Sequence, residues 1–284
     1  MSTPAETRLR DGDLDGALAA LSDAVRAAPG DARLRVFLFQ LLCVRGEWTR
    51  AVAQLRTAAT LDPAAEEMAR MYRAAIVCEI AREKVFAGAA SPAFFGEPAP
   101  WMAWMAEALR LDAAGETAAA DAPRARAFDA APATPGALDG RPFAWIADAD
   151  PRLGPLLEIV VNGRYFWAPF AAVSRLTVEA PADLRDRVWT PARVTWANGG
   201  EAVALIPTRY PAPRTPAQAL ARETDWAMDG DRVAAGLGQR LLATDAGECG
   251  LMDLRALVLT PDAAPETAPE TGAETAPAPR AAHG

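Results

Sequence analysis

Asp11-Gly12-Asp13-Leu14-Asp15-Gly16-Ala17-Leu18-Ala19-Ala20-Leu21 and Arg45-Gly46-Glu47-Trp48-Thr49-Arg50-Ala51-Val52-Ala53-Gln54-Leu55 carry the pattern that decides the fold. Gly12, Ala17, Leu21, Ala24 and Pro29 recur as Gly46, Ala51, Leu55, Ala58 and Pro63, each about 34 positions on. Most of the pattern returns roughly two periods later as Gly115, Ala120, Ala127 and Pro132, with Arg124 in place of the leucine. Each residue type has a job in a helical hairpin. Glycine permits the tight turn, alanine lets two helices approach closely, and proline ends the second helix.

A period near 34 built from these residues is the tetratricopeptide (TPR) pattern, in which hairpins stack because none can bury its apolar face alone. Leu14, Leu18, Leu21 and Val25 form one stripe. Leu34, Phe37, Leu38, Leu41 and Leu42 form the facing one, after the capping residue Asp31. About eleven residues precede Gly12, so the first hairpin is expected to open on a truncated helix. A further helix is read from Glu66 to about Phe86 and another from near Trp101, separated by a Pro/Gly loop over Ser91 to Pro100. The unit between the second and third copies has drifted or been lengthened.

Beyond Pro132 the period changes from helical to extended. Leu156 to Val161 and Arg164 to Phe170 flank Asn162-Gly163, a two-residue turn whose positions both require positive φ. Arg193 to Trp196 and Glu201 to Ile206 flank a second turn, and Leu241 to Thr244 and Gly250 to Leu254 a third at Asp245 to Glu248. Short helices are expected over Ala182 to Arg187 and Pro216 to Trp226. The expected fold is α+β: a TPR-like helical-hairpin domain over residues 1–135, then a small, mainly antiparallel β domain with short helices over 136–260. A Pro/Ala/Glu/Thr tail over 261–284 has no aliphatic or aromatic anchor to offset the cost of ordering it.

The chain has 284 residues, 51% of them apolar, a formal charge of -8 and an isoelectric point near 4.9. That balance describes a soluble protein and argues against a nucleic-acid partner, because no basic stripe would release counterions from phosphates. Cys43, Cys78 and Cys249 lie far apart without paired metal spacing, so neither a disulfide framework nor a metal site is expected. No apolar secretory signal precedes Arg8 and Arg10 and no run approaches a membrane span, so the protein is expected to work in the cytoplasm without membrane insertion. The one histidine, His283, falls in the tail, which leaves a hydrolytic triad without a base in the folded region. No phosphate-binding loop or dinucleotide fingerprint occurs, and no cofactor is expected. Asp148 and Asp150 are read as turn caps before Pro151 rather than as cation ligands.

Stacked hairpins form grooves suited to an amphipathic helix. Phe39, which departs from the main stripe of its helix, and Arg35 one turn earlier are the candidate partner-binding residues. A second reading assigns a small-ligand or enzymatic pocket to the β domain, lined by Arg164, Tyr165, Trp167, Trp196, Asn198, Arg209 and Tyr210.

Longer motifs then narrow the choice. Phe143-Ala144-Trp145-Ile146-Ala147-Asp148-Ala149-Asp150-Pro151-Arg152-Leu153-Gly154-Pro155, Asn162-Gly163-Arg164-Tyr165-Phe166-Trp167, Trp189-Thr190-Pro191-Ala192, Trp196-Ala197-Asn198-Gly199-Gly200 and Leu205-Ile206-Pro207-Thr208-Arg209-Tyr210-Pro211 together resemble the ImpE/TagJ family. Its members are accessory proteins of the bacterial type VI secretion system. The resemblance runs from about Gly12 to Leu259 and leaves out the tail. It implies a non-enzymatic cytoplasmic adaptor that binds the N-terminal helix of the small contractile-sheath subunit, of the TssB/VipA type. It also implies a link to sheath recycling by the ClpV ATPase. It assigns no binding residue.

Overall fold

The computed structural model describes residues 3–260; the expected tail, with His283, lies outside the described residues. Seven helices lead: α1 (Pro4–Arg10), α2 (Leu14–Ala27), α3 (Ala32–Val44), α4 (Trp48–Leu61), α5 (Glu66–Phe86), α6 (Pro100–Ala113) and α7 (Thr117–Ala130). They pair as α1/α2, α3/α4 and α6/α7. Each pair turns at a repeat glycine in the left-handed region: Gly12 at φ 80°, Gly46 at φ 71° and Gly115 at φ 78°. A side chain there would be strained, which explains why glycine returns at the same phase. Ala17, Ala51 and Ala120 are fully buried at the close approaches. The truncated first helix is the seven-residue α1. The drifted unit is α5, a single helix of 21 residues without a hairpin partner.

The remaining chain forms β1 (Gly136–Leu138), β2 (Arg141–Phe143), β3 (Ile146–Asp148), β4 (Leu156–Val161), β5 (Arg164–Pro169), β6 (Val173–Val178), β7 (Trp189–Trp196) and β8 (Glu201–Pro207). After a one-turn helix α8 (Pro216–Ala219) come β9 (Thr224–Asp229), β10 (Arg232–Gly238), β11 (Leu241–Thr244), β12 (Gly247–Gly250) and β13 (Ala256–Leu259). Eight strands make one antiparallel sheet in the order β2-β1-β13-β6-β7-β8-β4-β5. Strands β12-β11-β3 and β10-β9 form two small accessory sheets. The Asn162-Gly163 turn joins β4 to β5 with both residues at positive φ.

Three local expectations change. The strand expected over Gly250 to Leu254 is β12 at Gly247–Gly250, because the turn after β11 tightens to Asp245-Ala246 and pairs Thr244 with Gly247. Only Pro216–Ala219 of the expected helix to Trp226 is helical, because Ala221 takes φ 50° and Trp226 lies in β9, which hairpins onto β10 at Gly230. The segment over Ala182 to Arg187 is a 3₁₀ turn at Leu184–Arg187. The β1/β2 hairpin at Asp139-Gly140 adds a turn of the same positive-φ kind.

Strand β4 reads Leu-Leu-Glu-Ile-Val-Val and is buried along its whole length, so both faces of the sheet are covered. Leu156 and Val160 point into the core shared with the helices, whereas Leu157, Ile159 and Val161 point into a second core beneath the sheet. The shared core joins Leu21, Phe39, Tyr72 and Ile76 to Trp167, Trp189 and Leu205. Helices and sheet therefore complete one another. The fragment 1–135 expressed alone should lack a cooperative thermal unfolding transition. A fragment melting near the temperature of the whole chain would show that the helices are self-sufficient.

Candidate functional site

The centre of the molecule is a closed network of charged side chains between α5 and the sheet. One turn of α5 presents Glu79 and Arg82, and the apolar run of β4 is interrupted at Glu158, on the face turned to that helix. Arg82 donates to both oxygens of Glu158, Nε to Oε1 at 2.7 Å and Nη2 to Oε2 at 2.9 Å, and Nη2 also to the carbonyl of Arg209 at 2.9 Å. Glu79 pairs with Arg82 at 3.3 Å and accepts from the Trp189 indole at 3.0 Å. Arg240, fully buried before β11, pairs with both Glu158 and Asp148 and donates to the Pro207 carbonyl at 2.9 Å. The Tyr165 hydroxyl donates to Glu158 and accepts from the Trp167 indole at 2.7 Å, and the Tyr210 hydroxyl donates to Asp148 at 2.9 Å.

The electrostatics follow from that geometry. Burial pushes the Glu158 carboxyl up, but the guanidiniums of Arg82 and Arg240 outweigh it and hold its pKa down to about 2. Burial raises Asp148 to about 6 against the opposing pull of Arg240. Burial lowers Arg209 to about 10; its guanidinium is spent on carbonyls, those of Val44 at 2.7 Å and Cys43 at 3.0 Å at the end of α3, and that of Ala219. That contact caps α3 from the β domain.

The sequence candidates separate cleanly. Tyr165, Trp167, Arg209 and Tyr210 are buried: Tyr165 and Tyr210 bond to carboxylates of this network, Trp167 to Tyr165, and Arg209 to the α3 carbonyls. Of the seven candidates, Arg164 and Tyr165 border a common groove. Trp196 is buried elsewhere, its ring stacked 3.7 Å from that of Phe95. Arg164 and Asn198 are exposed, and the Asn198 side chain accepts from Gly200 within its own turn. Asp148 faces Arg240, and Asp150 accepts from the Gly236 amide at 2.9 Å and pairs with Arg152. Phe39 is fully buried with its ring 5.7 Å from Tyr72, a core position; Arg35 is tied to Gln54 at 3.0 Å and to the Pro29 carbonyl at 3.3 Å.

The face that α3 and α5 would offer as a groove is thus filled by the chain's own β domain: Trp189 lies against Tyr72, Glu158 against Arg82, and the Gly163 carbonyl 3.3 Å from the Cys78 thiol. The opposite flank of α5 is open. Val77 is 63% exposed and Ile80, three residues on and on the same side of the helix, 39%, an apolar pair facing outward. Beside it lies a groove of about 430 Å³ between α5, residues 90–93 and the β4–β5 turn. Lys84 and Arg164 stand on its rim, and neither forms an ion pair among the described residues. The sequence signal was a second apolar set on one helix, Val77 and Ile80 beside Ile76, too broad for one buried stripe.

Comparison with known proteins matches this architecture. Residues 140–258 fit the model of the ImpE protein family and residues 8–75 that of a tetratricopeptide repeat. Over 260 residues the chain is 52% identical to the type VI secretion system accessory component TagJ of Pseudomonas aeruginosa, covering 90% of this chain and 91% of that protein. The chain belongs to the ImpE/TagJ family. The crystal structure of protein VPA1032 from Vibrio parahaemolyticus, 27% identical, superposes with a TM-score of 0.84 over 91% of this chain and 98% of that one. The seating of sheet on helices is therefore a property of the shared fold. In this member of the ImpE/TagJ family, Glu158→Gln leaves two buried guanidiniums short of counter-charge and should cost about 3–5 kcal/mol at neutral pH, read by chemical denaturation. Since Glu158 titrates near 2 when folded against an ordinary 4.5, its contribution is complete above pH 4.5 and is lost as pH falls toward 2. The gap between wild type and variant should narrow across that window. Asp148, raised instead, acts in the opposite sense, its contribution fading as pH rises through 6.

Proposed function

We propose that this chain is a non-enzymatic cytoplasmic adaptor of the type VI secretion system, which binds the N-terminal helix of the small contractile-sheath subunit and links the sheath to recycling by ClpV. The observation that carries the reading is the open apolar stripe of α5. Val77 and Ile80 are exposed in a helical stack whose other face is already filled, and an amphipathic helix is the ligand whose apolar residues match such a stripe. Lys84 and Arg164 on the groove rim would pair with carboxylates flanking that helix. Membership of a secretion accessory family and the TPR pattern support an interaction role. The acidic and basic groups of the interior are spent on one another, which leaves them poorly placed for turnover.

Calorimetric titration with a synthetic peptide of the small sheath subunit's N-terminal helix tests the proposal. Val77→Glu should weaken binding about thirtyfold, the loss of roughly 2 kcal/mol expected for a central anchor, with the melting temperature unchanged because the side chain is exposed. Failure of the wild type to bind, or equal binding by the variant, would overturn it.

A further inference from the structure

A second cleft lies at the other end of the helical stack, where α1 and α3 meet residues 181–187 and the turn after α8. Its volume is about 520 Å³. Leu9, Phe37, Leu184 and Leu220 form apolar walls, and the guanidinium groups of Arg10, Arg187 and Arg222 line the same space. Among the described residues none of these three forms an ion pair, whereas Arg45, Arg82, Arg124, Arg152, Arg232 and Arg240 all do.

We propose that this cleft is a docking site for an acidic peptide segment of another protein, one that seats an aliphatic or aromatic side chain between carboxylates. Two of the three arginines are held in place. Arg222 donates to the carbonyls of Arg10 at 3.0 Å and Leu9 at 2.7 Å, at the C-terminal end of α1, and Arg187 lies against the Met252 sulfur at 3.2 Å. Burial first and the neighbouring Arg222 second lower the pKa of Arg187, against the opposing pull of the Asp186 carboxylate. Two carboxylates also border the cleft. Asp183 is neutralised by Arg185, and Glu6 accepts from the Thr3 amide at 2.7 Å in the capping box of α1. Three guanidiniums thus face two carboxylates, Glu6 in the α1 cap and Asp183 already paired with Arg185, an excess of positive charge in a chain of net charge -8 that draws an acidic ligand and fixes its orientation.

The apolar walls decide the class of ligand. A free inorganic anion would use the arginines alone and leave the outward parts of Phe37 and Leu184, which the core covers only in part, facing water; a nucleic acid would meet a molecule of net charge -8. The chain's own tail offers Asp262, Glu266, Glu270 and Glu274 but no Leu, Ile, Val, Phe, Tyr or Trp to fill the apolar half. The α5 groove is built from different elements, so the two sites hold different partners at once. This inference stands on the cleft itself and not on the identity of the ligand of α5.

The test probes the full chain on an array of synthetic nonapeptides graded in number of carboxylates and presence of one Leu or Phe, then titrates the tightest binder in solution. Binding should require both features and weaken steeply with added salt. Arg10→Glu and Arg187→Gln should each cost about tenfold or more in affinity. Arg10 is exposed, so its variant keeps the fold, and Val77→Glu should leave this binding unchanged. Equal binding of peptides without carboxylates, or full competition by millimolar inorganic phosphate, would overturn the proposal. A large gain in affinity on truncation after Thr260 would likewise overturn it by making the tail the occupant.

Discussion

Glu158 is a carboxylate with no exposed surface in the middle of the best-buried strand of the protein, and the structure has to neutralise it. An ionised group there is tolerated only with good geometry on every lone pair, and Arg82, Arg240 and Tyr165 supply it. Those three come from α5, from the chain before β11, and from β5. Fixing Glu158 therefore fixes how the long helix lies on the sheet and where the chain turns into the accessory sheet. Slippage of β4 by one residue would turn this carboxylate into the apolar core beneath the sheet. The cost of that error makes the pair a device for register and docking more than a source of net stability.

The same constraint explains why the helical stack does not behave as an open repeat protein. Its inner face carries Phe39, Tyr72 and Glu79, and each finds its partner within the chain. Arg209 strengthens the seal by capping α3 from the sheet side. With the groove closed, the surfaces that remain open are the outer flank of α5 and the cleft between α1, α3 and residues 181–187. Under the proposed reading, that seal fixes the two surfaces relative to one another, so a partner on one flank is oriented toward a partner at the other end.

What could be read in the sequence was local. Gly12, Gly46 and Gly115 answer a backbone demand set by their immediate neighbours, and so do Asn162 and Gly163, which is why turns and hairpins were legible. The aromatic and charged residues of the β domain were recognised as a group, but spacing could not tell a pocket from an interior. What separates the two is whether Tyr165 and Tyr210 meet solvent or meet Glu158 and Asp148, and those meetings depend on tertiary placement. Arg82 and Arg240 reach Glu158 across 76 and 82 residues of chain. Insertion of β13 between β1 and β6 likewise leaves no trace in the pattern of either neighbour. Phe39 left the stripe of its helix because α3 is buried on nearly all sides, a circumstance created by the sheet.

The absence of a hairpin partner for α5 is what this architecture is arranged around. A helix paired in a repeat has one flank committed to its mate, but α5 is free on two. It commits one to Glu158 and the sheet and leaves Val77 and Ile80 on the other. Apolar side chains as exposed as Val77 carry a standing risk of self-association, so their retention on a rigid, 21-residue helix is best explained by an occupant that covers them. The charged core and the bare stripe are then two consequences of one change in the repeat: the network holds the unpaired helix still, and its stillness keeps the stripe presented.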